Sequence, residues 1–133
     1  MTIPLVTRIL IADDHAIVRS GLKKVLDAKP DMEVVAEAED GHEAVEKALK
    51  EDVHLVILDV SMPRRSGLEV LEWMRARPAY HSLPVHVLSS SEEKSDIARA
   101  MALGAASYRT KKVGMADLED TARKIVGLES ARS

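Results

Sequence analysis

Leu55-Val56-Ile57-Leu58-Asp59-Val60-Ser61-Met62-Pro63 runs four large aliphatic residues into an aspartate and then turns at Met-Pro. An unbroken aliphatic run ending in such a turn reads as a strand buried on both faces, the kind found in parallel sheets. Asp59 stands where that core meets water. Three roles are open to it: an ordinary loop acid, a helix cap, or a reactive group held on a rigid strand.

Working outward, apolar runs alternate with amphipathic segments along the whole chain. Arg8 to Ala12 (RILIA), Glu33 to Ala38 (EVVAEA), Val53 to Leu58 (VHLVIL), Val85 to Leu88 (VHVL) and Ala106 to Lys111 (ASYRTK) read as five strands. Between them, helical spacing aligns Val18, Leu22, Val25 and Leu26, then Ala44, Val45, Ala48 and Leu49, then Leu68, Leu71 and Met74. Pro78 ends the third helix. Ser90 and Glu93 form a capping-box pattern that opens a fourth helix, with Ile97 and Met101 facing inward and Gly104 at its C-terminal cap. Leu118, Ala122, Ile125 and Val126 mark a fifth helix, and the small, polar 128–133 tail is expected to fray. Five strand–helix units with short links predict an α/β fold, a five-stranded parallel sheet with helices on both faces.

Composition narrows the class. The 133 residues fit one domain, 1–133, with its core over about 8–127. The chain has no Phe, one Trp and two Tyr, so the core is aliphatic. A net charge of −3 argues against a generally basic, nucleic-acid-binding surface. The absence of Cys removes disulfides, thiol catalysis and cysteine metal sites. No apolar run approaches the ~20 residues that span a bilayer, and the N-terminus lacks a secretory pattern. A cytoplasmic location is expected.

In an open parallel α/β sheet the functional crevice lies beyond the carboxyl ends of the strands. The strands deliver Asp13 and Asp14, Asp59, Ser89 and Lys111 to that edge, while Glu39 and Asp40 are expected to lie to one side. Each has a plain structural reading. An Asp pair before a helix caps it and complements its dipole, a serine after a strand caps the next helix, and a lysine ending a strand is solvated. Their convergence argues otherwise. At an effective dielectric of ~20, two like charges ~4 Å apart repel by about 4 kcal/mol. A hard divalent cation offsets this, and Mg²⁺ is typically held by one or two carboxylates and waters, with room for phosphate. Metal, lysine, hydroxyl and a carboxylate nucleophile make a phosphoryl-transfer constellation.

With Asp13-Asp14, Asp59-x-x-Met62-Pro63-x-x-x-Gly67, Ser89 and Lys111 in order at strand ends, the chain resembles the response-regulator receiver domains of two-component signalling. The resemblance covers roughly residues 8–127 and implies the flavodoxin-like strand order 2-1-3-4-5. It implies that Asp59 is the phosphoacceptor, that Asp14 binds Mg²⁺ directly and Asp13 through water, and that the Ser61 carbonyl and Asp59 complete the metal's protein ligands. Ser89 would bond the phosphoryl group, Lys111 would pair with it, and Tyr108 would turn inward as Ser89 moves. The donor would be a histidine kinase or phosphotransfer protein, meeting the first helix near His15, Val18 and Arg19. A homodimer through the fourth helix, fifth strand and fifth helix is a further implied contact. No membrane and no nucleic acid are expected as partners of this chain itself.

Departures from the family pattern fall at Lys112, where many relatives carry proline, at His15, often an aromatic, and at Ser61 and Ser91. The Asp13–Leu22 stretch resembles helix-turn-helix transcription regulators, whereas the Pro78–Pro84 link resembles stand-alone and hybrid-kinase receivers. Three other readings compete. An aspartate-nucleophile phosphatase wants a second acid where Ser61 stands. An FMN carrier wants a Ser/Thr-rich phosphate loop where Asp13 and Asp14 stand. A receiver-fold interaction module would work without phosphorylation. His42-Glu43 begins like a zinc-protease helix, but Glu46 occupies the second histidine's place.

Overall fold

The computed structural model describes residues 6–90, 93–111 and 114–132. Five strands alternate with five helices: β1 (Thr7–Ala12), α1 (Ala16–Asp27), β2 (Met32–Ala38), α2 (Gly41–Lys50), β3 (Leu55–Asp59), α3 (Gly67–Arg75), β4 (Val85–Ser89), α4 (Lys94–Ala102), β5 (Ser107–Thr110) and α5 (Met115–Arg132). A short 3₁₀ turn, Pro78–Tyr80, lies between α3 and β4. All pairings are parallel, in the order β2-β1-β3-β4-β5. This is the sheet that the sequence predicted.

The two-residue period of the strands divides the core into two layers. Leu10, Ala12, Val56, Leu58, Val85 and Val87 face Ala44, Ala48, Leu71, Met74 and Ala100 on one side. Ile9, Ile11, Leu55, Ile57 and Leu88 face Val18, Leu22, Leu26, Leu118, Ala122 and Ile125 on the other. The central strands β3 and β4 are buried at every residue, as their unbroken aliphatic runs require. Local capping fixes the helix starts. Asp40 accepts the Glu43 N–H at 2.7 Å to open α2, and Ser66 accepts the Glu69 N–H at 3.2 Å to open α3.

Several expectations are corrected. Leu49 is 59% exposed, because α2 is centred on the small residues Gly41, Ala44 and Ala48, and Leu49 sits a further 100° round the helix. Met101 is 49% exposed for the same reason, since the buried position of α4 is Ala100. Ser90 does not open α4: the helix begins at Lys94, with Glu93 at the cap and no side-chain capping bond. Gly104 follows the C-terminal cap with φ of 77°, the left-handed conformation that suits glycine. Helical backbone continues to Arg132, through most of the segment expected to fray. Val18 is buried and Arg19 half-buried, so neither presents the open face expected on α1; Ile17 does, at 71% exposure. Ser91 and Lys112 lie outside the described residues.

Candidate functional site

Parallel register brings the strand ends together. Ala12 pairs with Leu58, so the residues that follow, Asp13 and Asp59, sit side by side at the sheet edge. Both are 1% exposed. Asp13 is fixed from three directions: its N–H donates to the Ala38 carbonyl (2.9 Å), its Oδ1 accepts the His15 N–H (2.7 Å), and its carbonyl accepts the Arg19 guanidinium (2.5 Å). Asp14, with a side chain 31% exposed, forms the open side of the pocket. Asp59 accepts the Ser61 N–H at 3.3 Å. Gly67 makes the close approach of the β3–α3 loop possible: its N–H donates to the Val60 carbonyl (2.9 Å), and a Cβ there would stand 2.0 Å from the Asp59 carbonyl oxygen. Gly41 has the same role at the other end of that loop, where a Cβ would stand 2.0 Å from the Arg65 carbonyl oxygen.

Lys111 closes the pocket. Its N–H donates to the Ser89 carbonyl at 2.7 Å, which aims the side chain back over the sheet edge. The ammonium, on a side chain 5% exposed, lies 2.9 Å from Asp13 Oδ1, 3.0 Å from Asp59 Oδ2 and 3.7 Å from Asp14 Oδ1. Burial acts to lower the lysine pKa, but the hydrogen bonds to Asp13 and Asp59 outweigh it and hold it above the ordinary value. Asp59 responds in the opposite sense. Burial, then the adjacent Asp13 charge, push its carboxyl up to about 6 against the pull of Lys111. One ammonium therefore does not fully compensate the acids around it.

The residues fit a divalent cation. Asp13, Asp14, His15 and Asp59 each offer one ligand atom, and these atoms lie within 4.8 Å of one another. Asp13 Oδ2 is buried and has no hydrogen-bond partner. A buried carboxylate oxygen left without a donor is an acceptor kept for something else, and an oxygen-seeking ion satisfies it.

Ser89 and Tyr108 lie on the last two strands of the sheet. Ser89 is fully buried at the end of β4, next to the Leu88 that pairs with Asp59. Tyr108, on β5 opposite Val87, is half-buried against the inner layer of the core. It lines a cavity of about 350 Å³ with Arg109, Asp117, Thr121 and Lys124. Asp40 stays out of the pocket, capping α2 and pairing with Arg64 at 3.8 Å. Sequence reasoning missed two contacts. His15 Nδ1 lies 2.6 Å from the Lys111 ammonium, and Arg19 braces the Asp13 carbonyl. Neither has a spacing signature, since both depend on the turn between β1 and α1.

Comparison with known proteins agrees with this geometry. The family model for the response regulator receiver domain matches residues 9–123. The chain is 36% identical over 110 residues to the nitrate/nitrite response regulator protein NarL of Escherichia coli K12, covering 83% of this chain and 50% of that protein. It is 37% identical over 115 residues to protein-glutamate methylesterase/protein-glutamine glutaminase 2 of Carboxydothermus hydrogenoformans, covering 84% of this chain and 31% of that protein. The chain thus spans a third to half the length of these curated relatives. The response regulator domain of Thermotoga maritima CheB superposes with a TM-score of 0.80 at 31% identity, covering 95% of this chain and 96% of that one. This chain belongs to the response regulator receiver domain family.

Proposed function

We propose that Asp59 is the residue through which this receiver is switched, taking a phosphoryl group from a phosphohistidine. The supporting observation is the Lys111 ammonium held between Asp13 and Asp59, beside a buried Asp13 oxygen that lacks a partner. A carboxylate oxygen of Asp59 forms the new bond to phosphorus, the phosphorus–nitrogen bond of the donor breaks, and the imidazole leaves with that electron pair. Lys111 neutralises charge on the transferred group, and the Ser89 hydroxyl donates to it. Asp13, Asp14, Asp59 and the Ser61 carbonyl would hold Mg²⁺, which supplies charge stabilisation to the phosphoryl oxygens. The domain in this way promotes its own phosphorylation and dephosphorylation, while its biological output is a changed surface.

The phosphoaspartate adds nearly two negative charges and new acceptor oxygens. Ser89 moves toward them and Tyr108 follows, altering the α4–β5–α5 face, which can then pair with a second copy or another partner. The donor, a histidine kinase or phosphotransfer protein, would meet the exposed Ile17 beside the pocket mouth. We read 1–133 as one receiver unit acting in the cytoplasm, either alone or as the receiver of a transcription regulator, without binding nucleic acid itself. None of the described helices is long and apolar enough to cross a membrane. An aspartate-nucleophile phosphatase is disfavoured, since Ser61 supplies no second acid.

The test is intact mass after incubation with acetyl phosphate. One phosphoryl group should be gained only when Mg²⁺ is present, and none in Asp59→Asn. An unchanged wild type, or equal gain in that variant, sinks the assignment.

A further inference from the structure

The residue after the aspartate pair is not among the proposed Mg²⁺ ligands, yet its Nδ1 is turned toward the pocket. His15 is the N-terminal cap of α1 by backbone position, but its side chain makes no capping bond. Instead Nδ1 lies 3.1 Å from Asp14 Oδ1, 3.4 Å from Asp13 Oδ1 and 2.6 Å from the Lys111 ammonium. Nδ1 thus faces the same centre as the Asp13 and Asp14 carboxylate oxygens and the Lys111 ammonium. An imidazole ring nitrogen is the commonest metal ligand among side chains. That of His15 is the fourth of the ligand atoms gathered within 4.8 Å, beside the partnerless, buried Asp13 Oδ2.

We propose that His15 is a metal ligand that gives this pocket a second coordination mode, one that favours nitrogen-accepting divalent ions such as Zn²⁺ over Mg²⁺. The proposal rests on the reading of Asp13, Asp14 and Asp59 as a cation site. Mg²⁺ is hard, keeps several waters and takes oxygen ligands. Imidazole instead suits zinc, nickel and copper. The same aspartates therefore serve both classes, and only the second recruits the ring. The Lys111 ammonium occupies the meeting point of the ligand atoms. Its contact to His15 lacks the charge attraction of its contacts to Asp13 and Asp59, so it is the contact an incoming ion displaces first.

Calorimetric titration of Zn²⁺ and, separately, Mg²⁺ into the wild-type chain, His15→Ala and His42→Ala provides the test. His42 is the control because it pairs with Glu46 at 3.3 Å on the exposed face of α2, an alternative place for zinc. The His15 side chain is 60% exposed, so its removal should not disturb folding. Zinc affinity should fall by about tenfold or more in His15→Ala, the scale on which residues supporting a metal site act, and stay unchanged in His42→Ala. Magnesium affinity should hold in all three within a factor of about two. Zinc should also move the His15 ring nitrogen resonances, and magnesium should not. Undiminished zinc affinity in His15→Ala, or an equal loss of both ions, overturns the proposal. An Asp13→Asn, Asp14→Asn variant separates it from the underlying reading. Loss of magnesium alone places zinc outside this pocket and ends the proposal. Absence of magnesium binding in the wild type, with His15-dependent zinc binding kept, faults the magnesium reading only.

Discussion

Asp59 holds its negative charge at an electrostatic cost. Its carboxyl is raised to about 6, first by burial and then by Asp13. Between its unfolded value near 3.8 and about 6 the folded state binds more protons than the unfolded one, so the residue's contribution to stability is present at low pH and lost as pH rises through 6. In metal-free buffer, Asp59→Asn should therefore be more stable than the wild type at pH 7, by on the order of 1–3 kcal/mol. That gap should narrow below pH 6 and close near pH 4; urea denaturation across the range reads it. Two glycines give a second residue-scale prediction. An alanine Cβ at Gly67 would press on the Asp59 carbonyl at 2.0 Å, a backbone atom that cannot swing away. At Gly21 it would meet the tip of the Leu118 side chain at 2.5 Å, which can rotate away. Gly67→Ala should destabilise by about 1–3 kcal/mol and, on the proposed function, slow phosphorylation of Asp59. Gly21→Ala, offset by better helix propensity of about 1 kcal/mol, should stay close to neutral by the same denaturation assay.

At the scale of elements, α4 is the least anchored helix of the set between strands. Among its described residues only Ala100 is buried. Its C-terminal end is held instead by Arg75 on α3, whose Nε donates to the Leu103 carbonyl (2.7 Å) and whose Nη2 donates to that of Gly104 (3.1 Å). Arg99 and Glu72 add a second tie at 3.0 Å. Arg75→Ala should speed amide exchange in α4 and the turn after it, while leaving β1 and β3 protected. This weak anchoring also explains what the sequence could not show. The strands were legible because aliphatic runs such as Leu55 to Leu58 have one good use. Helix α4 was misplaced because Ser90 and Glu93 satisfy a local capping pattern, and its large residues Ile97 and Met101 suggested a deeper face than the single buried alanine provides. The pocket was legible to the extent that its residues end strands, as Asp13, Asp59 and Lys111 do. The His15 ring and the Arg19 brace depend on the path of the β1–α1 turn, which no periodicity encodes.

Across the whole molecule, the two apolar layers share one sheet, with Leu10 and Ala12 facing one layer and Ile9 and Ile11 the other. Neither layer can open without breaking strands that support its neighbour, so unfolding should be a single cooperative transition. Trp73, the only tryptophan, packs at the margin of one layer, 5.7 Å from the Tyr80 ring and under the Arg77 guanidinium at 4.5 Å. Its fluorescence reports that layer, while far-ultraviolet circular dichroism reports all elements. The two melting curves should superimpose, and a displaced fluorescence transition would show independent layers. The Lys111 ammonium has a wider consequence. Chained to the end of β5, it is a competitor whose local concentration no buffer can dilute, on the millimolar scale or above for a short tether. On the proposed reading of the pocket as a cation site, any mobile cation must outbid a charge that is always present, so the pocket would keep its shape when ions are scarce and fill only when they are plentiful. Lys111→Met should accordingly bind Mg²⁺ more tightly than the wild type, even as it loses the charge proposed to steady a phosphoryl group.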